Sequence, residues 1–120
     1  MCLSTVLKRY QTVLDDVKTG FKVLEEYSRD YYRVPVINQT YRYDQWSNAT
    51  GQDIRADDGT YYPSGFHIFS RYNDAVSYRD RHHPNCFVAQ VEYSHITTRG
   101  TQDGYKVSVA KKMCVLNHDD

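Results

Sequence analysis

The second half of the chain contains two long stretches in which apolar and polar residues alternate, and this alternation restricts the fold more than any other feature. Successive side chains of a β-strand point to opposite faces, so a long alternation predicts a strand with one buried face. Gly100 and the pair Asp103-Gly104 interrupt the connection between the two stretches and predict turns there. The alternating apolar positions are Phe87, Ala89, Val91 and Tyr93 in the first stretch, and Val107, Val109, Met113 and Val115 in the second.

A strand and a helix are expected just before these stretches. Residues 65–69 predict a strand whose alternate side chains face opposite ways. Ser70 is a residue type that caps helices, so we expect a helix to begin there. This helix should end near His83, because Pro84 forces the residue before it out of helical geometry.

The N-terminal half predicts a second helix, followed by strands and a loop. Residues 4–18 predict an amphipathic helix, with Ser4 as its cap and Gly20 as its stop. Its apolar residues recur at helical spacing and are Val6, Leu7, Tyr10, Leu14 and Val17. Strands are expected over residues 21–27, 31–37 and 41–46, and a long loop over 47–60.

These elements predict one α+β domain over residues 1–120. Two helices would pack against a mostly antiparallel sheet of five or six strands, and 120 residues suffice for one modest core. The chain carries 15 basic and 15 acidic residues, so it lacks the basic excess typical of proteins that bind nucleic acid directly. It has no apolar run approaching the roughly 20 residues that span a bilayer. We therefore expect a cytosolic protein without a membrane partner.

Neither a metal site nor a disulfide is expected. The five histidines show no recognised metal-site spacing, and the three cysteines are far apart in the sequence. Cys2 is a special case, because removal of Met1 would expose an amine and a thiol on one residue. That pair could chelate a soft metal or act as a nucleophile, whereas the alternative is an ordinary small residue.

Tyrosine and arginine dominate the rest of the composition. The chain has 12 tyrosines, and many lie beside an arginine. Tyrosine offers a rigid ring with a polar edge, and arginine stacks on rings and binds carboxylate or phosphate. This composition favours a recognition surface over catalysis. We expect the protein-binding residues to be Tyr31, Tyr32, Arg42, Tyr43, Trp46 and Arg55.

A second candidate site surrounds residues 61–71. A strand followed by a helix start and Arg71 would make a corner that attracts anions. The alternative is that these aromatic residues form core and that Arg71 is solvated. For a phosphate-bearing ligand the expected binding residues are Tyr62, His67, Arg71 and Arg99. No catalytic motif and no cofactor motif occurs, so no catalytic residue and no cofactor is predicted.

Several segments carry a resemblance to known proteins. The start Met1-Cys2-Leu3-Ser4-Thr5-Val6 resembles small, mostly uncharacterised bacteriophage proteins. Later segments agree in kind, and they are residues 20–23, 65–69, 74–75, 100–102 and 107–113. The resemblance implies the cytoplasm of an infected bacterium, where accessory phage proteins blunt host immunity. Separately, residues 65–92 are similar in rhythm to part of the ADP-ribosyltransferase fold.

Three functions follow as hypotheses. The first is a non-enzymatic anti-defence protein that docks onto a bacterial defence protein, as anti-CRISPR proteins do. The second is a sponge that sequesters a cyclic nucleotide or ADP-ribose immune signal. The third is an enzyme similar to ADP-ribosyltransferases, with Arg71 and Tyr62 on the dinucleotide and Glu92 as the acid. A homo-oligomer is compatible with all three.

Overall fold

The computed structural model describes residues 3–34, 39–49 and 51–116, with the side chain of Val13 left out. These residues form ten strands and one helix. The strands are β1 Thr5–Leu14, β2 Lys18–Glu26, β3 Tyr31–Val34, β4 Gln39–Arg42, β5 Trp46–Asn48, β6 Asp53–Arg55, β7 Tyr61–Pro63, β8 Phe66–Phe69, β9 Phe87–Gln102 and β10 Tyr105–Val115. The helix, α1, spans Tyr72–His82.

Eight of the strands form one antiparallel sheet. Its order is β1-β9-β10-β8-β2-β3-β4, and β5 pairs with a further stretch of β10. Strand β2 also pairs with β9, so β2, β9, β10 and β8 close into a ring. The β2–β8 side of the ring consists of one residue pair, Phe21 opposite Phe69. Strands β6 and β7 form a separate hairpin.

The β9–β10 hairpin is the centre of this arrangement, and it confirms the two strands predicted from alternation. Both strands are longer than predicted, and they meet at a two-residue turn, Asp103-Gly104, with φ of 57° and 86°. Positive φ at both turn residues matches the right-handed twist of the paired strands. The interruption predicted at Gly100 is wrong. This residue lies inside β9, where an added Cβ would overlap the Thr5 carbonyl oxygen of β1.

The predicted N-terminal helix is wrong, and so is the α+β class with two helices. Residues 4–18 form β1 and the start of β2, and Gly20 is a buried residue of β2. Strand β1 pairs with the C-terminal half of β9, and β2 pairs with its N-terminal half. The segment is rich in β-branched and aromatic residues that suit strands, and pairing with β9 outweighs its helical spacing. The fold is therefore mostly β.

Other boundaries differ from the sequence prediction. The expected loop over 47–60 contains the end of β5 and all of β6, which are short strands formed by pairing with β10 and β7. The expected strand over 41–46 is divided by a turn between β4 and β5. The strand expected over 31–37 is observed as β3, and residues 35–38 lie outside the described residues. The second predicted helix is confirmed as α1, but its predicted cap is wrong, because the N-cap residue is Arg71 and not Ser70.

Both faces of the sheet are covered, which divides the core in two. One cluster, the ring core, contains Phe66 and Ile68 of β8 together with Val91 of β9 and Met113 of β10. The other cluster, the helix-side core, contains Phe69 together with residues of α1. The alternate side chains of β8 therefore face opposite ways, as predicted, and all four are buried. Within the described part of the chain, no helix is both long and apolar enough to cross a membrane.

Candidate anion-binding groove

A groove of about 570 Å³ lies where β1 meets the strands of the ring. Strands β1, β2, β9 and β10 all contribute side chains to it, and Ser70, directly after β8, contributes as well. Its polar and aromatic lining residues are Lys8, Tyr10, Lys18, Ser70, Tyr93, Arg99, Lys106 and Ser108. We call this site the anion-binding groove because of the charges described below.

Strand register places three potential phosphate ligands in one row across the sheet. Arg99 of β9 is the register partner of Lys8 of β1 on one side and of Ser108 of β10 on the other. Side chains directly opposite each other in an antiparallel pair have Cβ atoms roughly 5 Å apart. The row therefore presents an ammonium, a guanidinium and a hydroxyl within reach of one anionic group.

The ring of Tyr10 supports two members of this row. The Lys8 Nζ atom lies 5.0 Å from the centroid of the Tyr10 ring, and the Arg99 Cζ atom lies 5.9 Å from it. Cations at such distances are attracted to the electron-rich face of an aromatic ring. Tyr10 thus holds both cations at the groove without neutralising either.

The charges in the groove are unbalanced. Four cations line it, Lys8, Lys18, Arg99 and Lys106, and no carboxylate is found among its described lining residues. The ion pairs of the described chain all lie elsewhere, at Arg33, Arg79, Arg81 and His82. The whole chain has a formal net charge of zero, so the groove is a local concentration of positive charge.

The guanidinium of Arg99 also contains a hydrogen-bond donor that is not satisfied. Its Nε atom is buried and has no hydrogen-bond partner among the described residues. A buried donor that loses its hydrogen bond costs about 1–3 kcal/mol, and more if it is charged. An anion bound beside Arg99 would compensate the charge of this guanidinium.

Of the residues predicted to bind a ligand, the groove contains Arg99 alone. Arg71 is exposed at the N-cap of α1, next to Ser70 of the groove. Tyr62 and His67 are buried, and Tyr62 belongs to the helix-side core. Sequence reasoning missed Lys8, Lys18 and Lys106, because their convergence depends on strand register. Tyr10 was missed because it was assigned to a helix face.

Tyr62 and His67 instead form a buried hydrogen-bonded chain. The Leu3 N–H donates to the Tyr62 hydroxyl oxygen at 2.8 Å, and that hydroxyl lies 2.9 Å from His67 Nε2. His67 Nδ1 lies 3.1 Å from the Gly65 carbonyl oxygen, which can only accept. His67 must therefore carry its proton on Nδ1 and accept the Tyr62 proton at Nε2. The chain connects the N-terminal segment to β7 and β8.

Burial keeps this histidine neutral. Desolvation, with the charge of Lys22 as a smaller cause, lowers the pKa of His67 from 6.5 to about 3. Lys22 is itself buried and donates from Nζ to the His67 carbonyl oxygen at 2.8 Å. Desolvation lowers the pKa of Lys22 to about 8. These residues are connected by buried hydrogen bonds and offer almost no surface to a ligand.

The residues predicted to bind a protein are divided between core and surface. Tyr32 and Tyr43 are buried, with ring centroids 5.2 Å apart, and burial raises the pKa of Tyr32. Tyr31 and Arg42 are exposed register partners on β3 and β4. Trp46 is 42% exposed on β5. Arg55 is exposed on the separate β6–β7 hairpin, opposite Tyr61.

The positions of Tyr62 and Glu92 give little support to the enzymatic hypothesis. Tyr62 has no exposed surface to offer a dinucleotide. Glu92 is half-buried on β9, with Thr19 and Cys114 as its register partners. Cys2 lies outside the described residues.

Metal ligands and related proteins give no further guide to the site. In the described ranges, no group of three or more His, Cys, Asp or Glu side chains could hold a metal ion. Cys86 and Cys114 are free, and burial raises the pKa of both thiols. No protein-family model, curated protein or solved structure matches the chain. Function is therefore inferred from the side chains themselves.

Proposed function

We propose that this protein is a non-enzymatic binding protein that captures a phosphate-bearing small molecule in the anion-binding groove. The observation that carries the proposal is the row Lys8–Arg99–Ser108, with the unpartnered Nε of Arg99 at its centre. Cyclic nucleotides and ADP-ribose belong to this class of ligand. In the bacteriophage setting implied by the N-terminal resemblance, such capture would withdraw an immune signal from the host cytoplasm.

Binding is favoured over catalysis by the residue types present. The described lining contains no His, Cys, Asp or Glu, the side chains that most often act as general bases or nucleophiles. Its Lys and Arg side chains are donors that bind phosphate without needing to exchange a proton. We therefore expect a site of this composition to hold an anion without cleaving it.

Ligand-induced stabilisation tests this proposal. We expect a cyclic dinucleotide or ADP-ribose at 100 times its Kd to stabilise the fold by about 2.7 kcal/mol, seen as a rise in Tm. Arg99→Met keeps the aliphatic stem and removes the charge, so it should weaken binding by roughly 10- to 100-fold, or about 1.5–3 kcal/mol. Titration calorimetry measures both proteins.

Arg71→Met is the matched control for this experiment. Arg71 is exposed and is absent from the groove lining, so its loss should leave the affinity unchanged. Equal weakening by both substitutions would indicate a general charge effect and would contradict the groove as the site. The absence of any Tm rise across the ligands, inorganic pyrophosphate included, would reject ligand capture altogether.

A second candidate function is docking onto a bacterial defence protein through a separate surface. Tyr31 and Arg42 are exposed cross-strand partners, and the Tyr43 N–H donates to the Asp30 carbonyl oxygen at 3.1 Å. This bond joins the turn before Trp46 to the turn before Tyr31. Exposed Tyr, Trp and Arg are the residue types most enriched among the dominant contacts of protein interfaces.

Trp46→Ala tests docking separately from ligand capture. Loss of an interface tryptophan typically costs about 2 kcal/mol or more, so a partner captured from defence-bearing bacteria should be bound at least roughly 30-fold more weakly. Tyr72→Ala removes an exposed ring at the start of α1, away from the predicted protein-binding residues, and is the control. Equal retention of a stoichiometric partner by wild type and Trp46→Ala would exclude this surface.

A further inference from the structure

We infer that the anion-binding groove recognises the phosphates of its ligand and not the base, and that it takes small molecules carrying two or more phosphates. This inference rests on the proposed function and specifies the ligand class. It depends on the number of cations in the groove, on their spacing, and on the absence of a free surface that could read a base.

The number of cations exceeds what one phosphate can compensate. The row centred on Arg99 already supplies two cations and a hydroxyl, which suffice for one phosphate group. Lys18 and Lys106 add two further cations, and neither takes part in an ion pair within the described chain. A phosphate monoester carries about two negative charges near pH 7 and would leave about two of the four positive charges uncompensated. Each further phosphate in a chain adds about one negative charge, so a diphosphate would leave about one and a triphosphate would compensate all four.

The added lysines also lie beyond the row. Lys106 is two positions from Ser108 on β10, so it faces the same side roughly 7 Å further along the strand. Lys18 belongs to β2 and has Tyr93 of β9 as its register partner. The cations therefore extend along the groove on both sides of the row, as a linear or doubly phosphorylated ligand would require.

A base would find few partners in the groove. Lys8 and Arg99 already lie against the Tyr10 ring, and Tyr93 is buried in the ring core. The described lining contains no Asn or Gln, which read adenine, and no Asp or Glu, which read cytosine. Its Lys and Arg side chains could contact guanine, but we expect the phosphates of a bound ligand to engage them. The groove can therefore distinguish ligands by charge and phosphate number, and it has little means to distinguish adenine from guanine.

Titration calorimetry on the full chain tests this inference with a graded set of ligands. The set contains AMP, ADP, ATP, GTP, ADP-ribose, a cyclic dinucleotide and inorganic tripolyphosphate. We expect ATP to bind at least about tenfold more tightly than AMP, because it engages the additional charged donors. ATP and GTP should agree within about threefold, and tripolyphosphate should retain most of the affinity of ATP.

Two variants separate the row from the lysines that flank it. The double variant Lys18→Met/Lys106→Met should reduce ATP binding to near that of AMP while leaving AMP unchanged within about threefold. Arg99→Met should weaken both ligands. Lys18 and Lys106 are both exposed, so their replacement should not disturb the fold. Circular dichroism would verify that the variants fold.

Each contrary result has a distinct meaning. AMP binding as tightly as ATP, or ATP and GTP differing more than about tenfold, would overturn this inference while leaving anion capture intact. Tighter binding of a ten-nucleotide single strand than of ATP would assign the groove to a nucleic-acid backbone and overturn the small-molecule class. Failure of every ligand to bind would reject the proposed function itself.

Discussion

Replacing Tyr62 by alanine is expected to destabilise the fold by about 3–5 kcal/mol, as removal of a fully buried aromatic side chain usually does. Tyr62 is 0% exposed and fills the helix-side core. Its hydroxyl also accepts the Leu3 N–H and donates to His67. The substitution therefore creates a cavity and breaks the contact between β7 and the N-terminal segment. Urea unfolding followed by circular dichroism measures the loss.

Two further variants divide this effect into its parts. Tyr62→Phe keeps the ring and leaves the Leu3 N–H and His67 Nε2 without this partner, which should cost about 1–3 kcal/mol. Tyr61→Ala is the matched control, because this neighbouring tyrosine is 56% exposed and its loss should change stability by only about 0.5 kcal/mol. If Tyr62→Phe were as stable as wild type, the hydrogen-bonded chain would contribute nothing to stability.

Mild acid is expected to produce the second large effect. The pKa of His67 is lowered from 6.5 to about 3 by burial, so the unfolded chain binds a proton more readily than the folded chain between these values. The contribution of neutral His67 to stability is therefore complete above about pH 6.5 and is lost as the pH decreases toward 3. The total loss is on the order of a few kcal/mol.

The upper part of this pH range separates the contribution of His67 from that of the carboxylates. Hydrogen bonds lower the pKa values of Glu25, Asp58 and Asp103 below 4.5 or 3.8, so these carboxylates lose their contribution only in stronger acid. Between pH 6.5 and 4.5 the free energy of unfolding should decrease with a slope that is much smaller in His67→Gln. His83 also has a lowered pKa but is partly exposed, and His83→Gln should retain most of the slope. An unchanged slope in His67→Gln would show that another group causes the acid sensitivity.

Local sequence patterns were sufficient to predict an element where one face of a strand is buried along its whole length, or where residues mark the end of a helix. The β9–β10 hairpin could be predicted because its alternation is regular and its turn has the chemistry that a tight hairpin needs. Helix α1 could be predicted because a proline at position 84 ends it. The same approach failed at residues 4–18, where helical spacing coexists with residue types that favour strands.

The residues of the groove were likewise predicted only in part from the sequence. Arg99 was among the predicted ligand-binding residues, but the lysines that line the groove with it were not. Lys8 and Ser108 are 100 positions apart in the chain and flank Arg99 only through the register of β1, β9 and β10. Strand register depends on long-range pairing, which the local order of residues does not encode.

Sequence by itself determined the central hairpin, the second-half helix, the opposite facing of alternate side chains in β8 and the balance of charges, since each depends on neighbours within a few residues. Tertiary structure alone decided that residues 4–18 become strands, that Tyr62 and His67 are buried, and that four cations meet in one groove. The physical reason is that pairing with the edge of β9 opposite β10, together with the closure of the ring, selects among conformations that are locally similar in free energy.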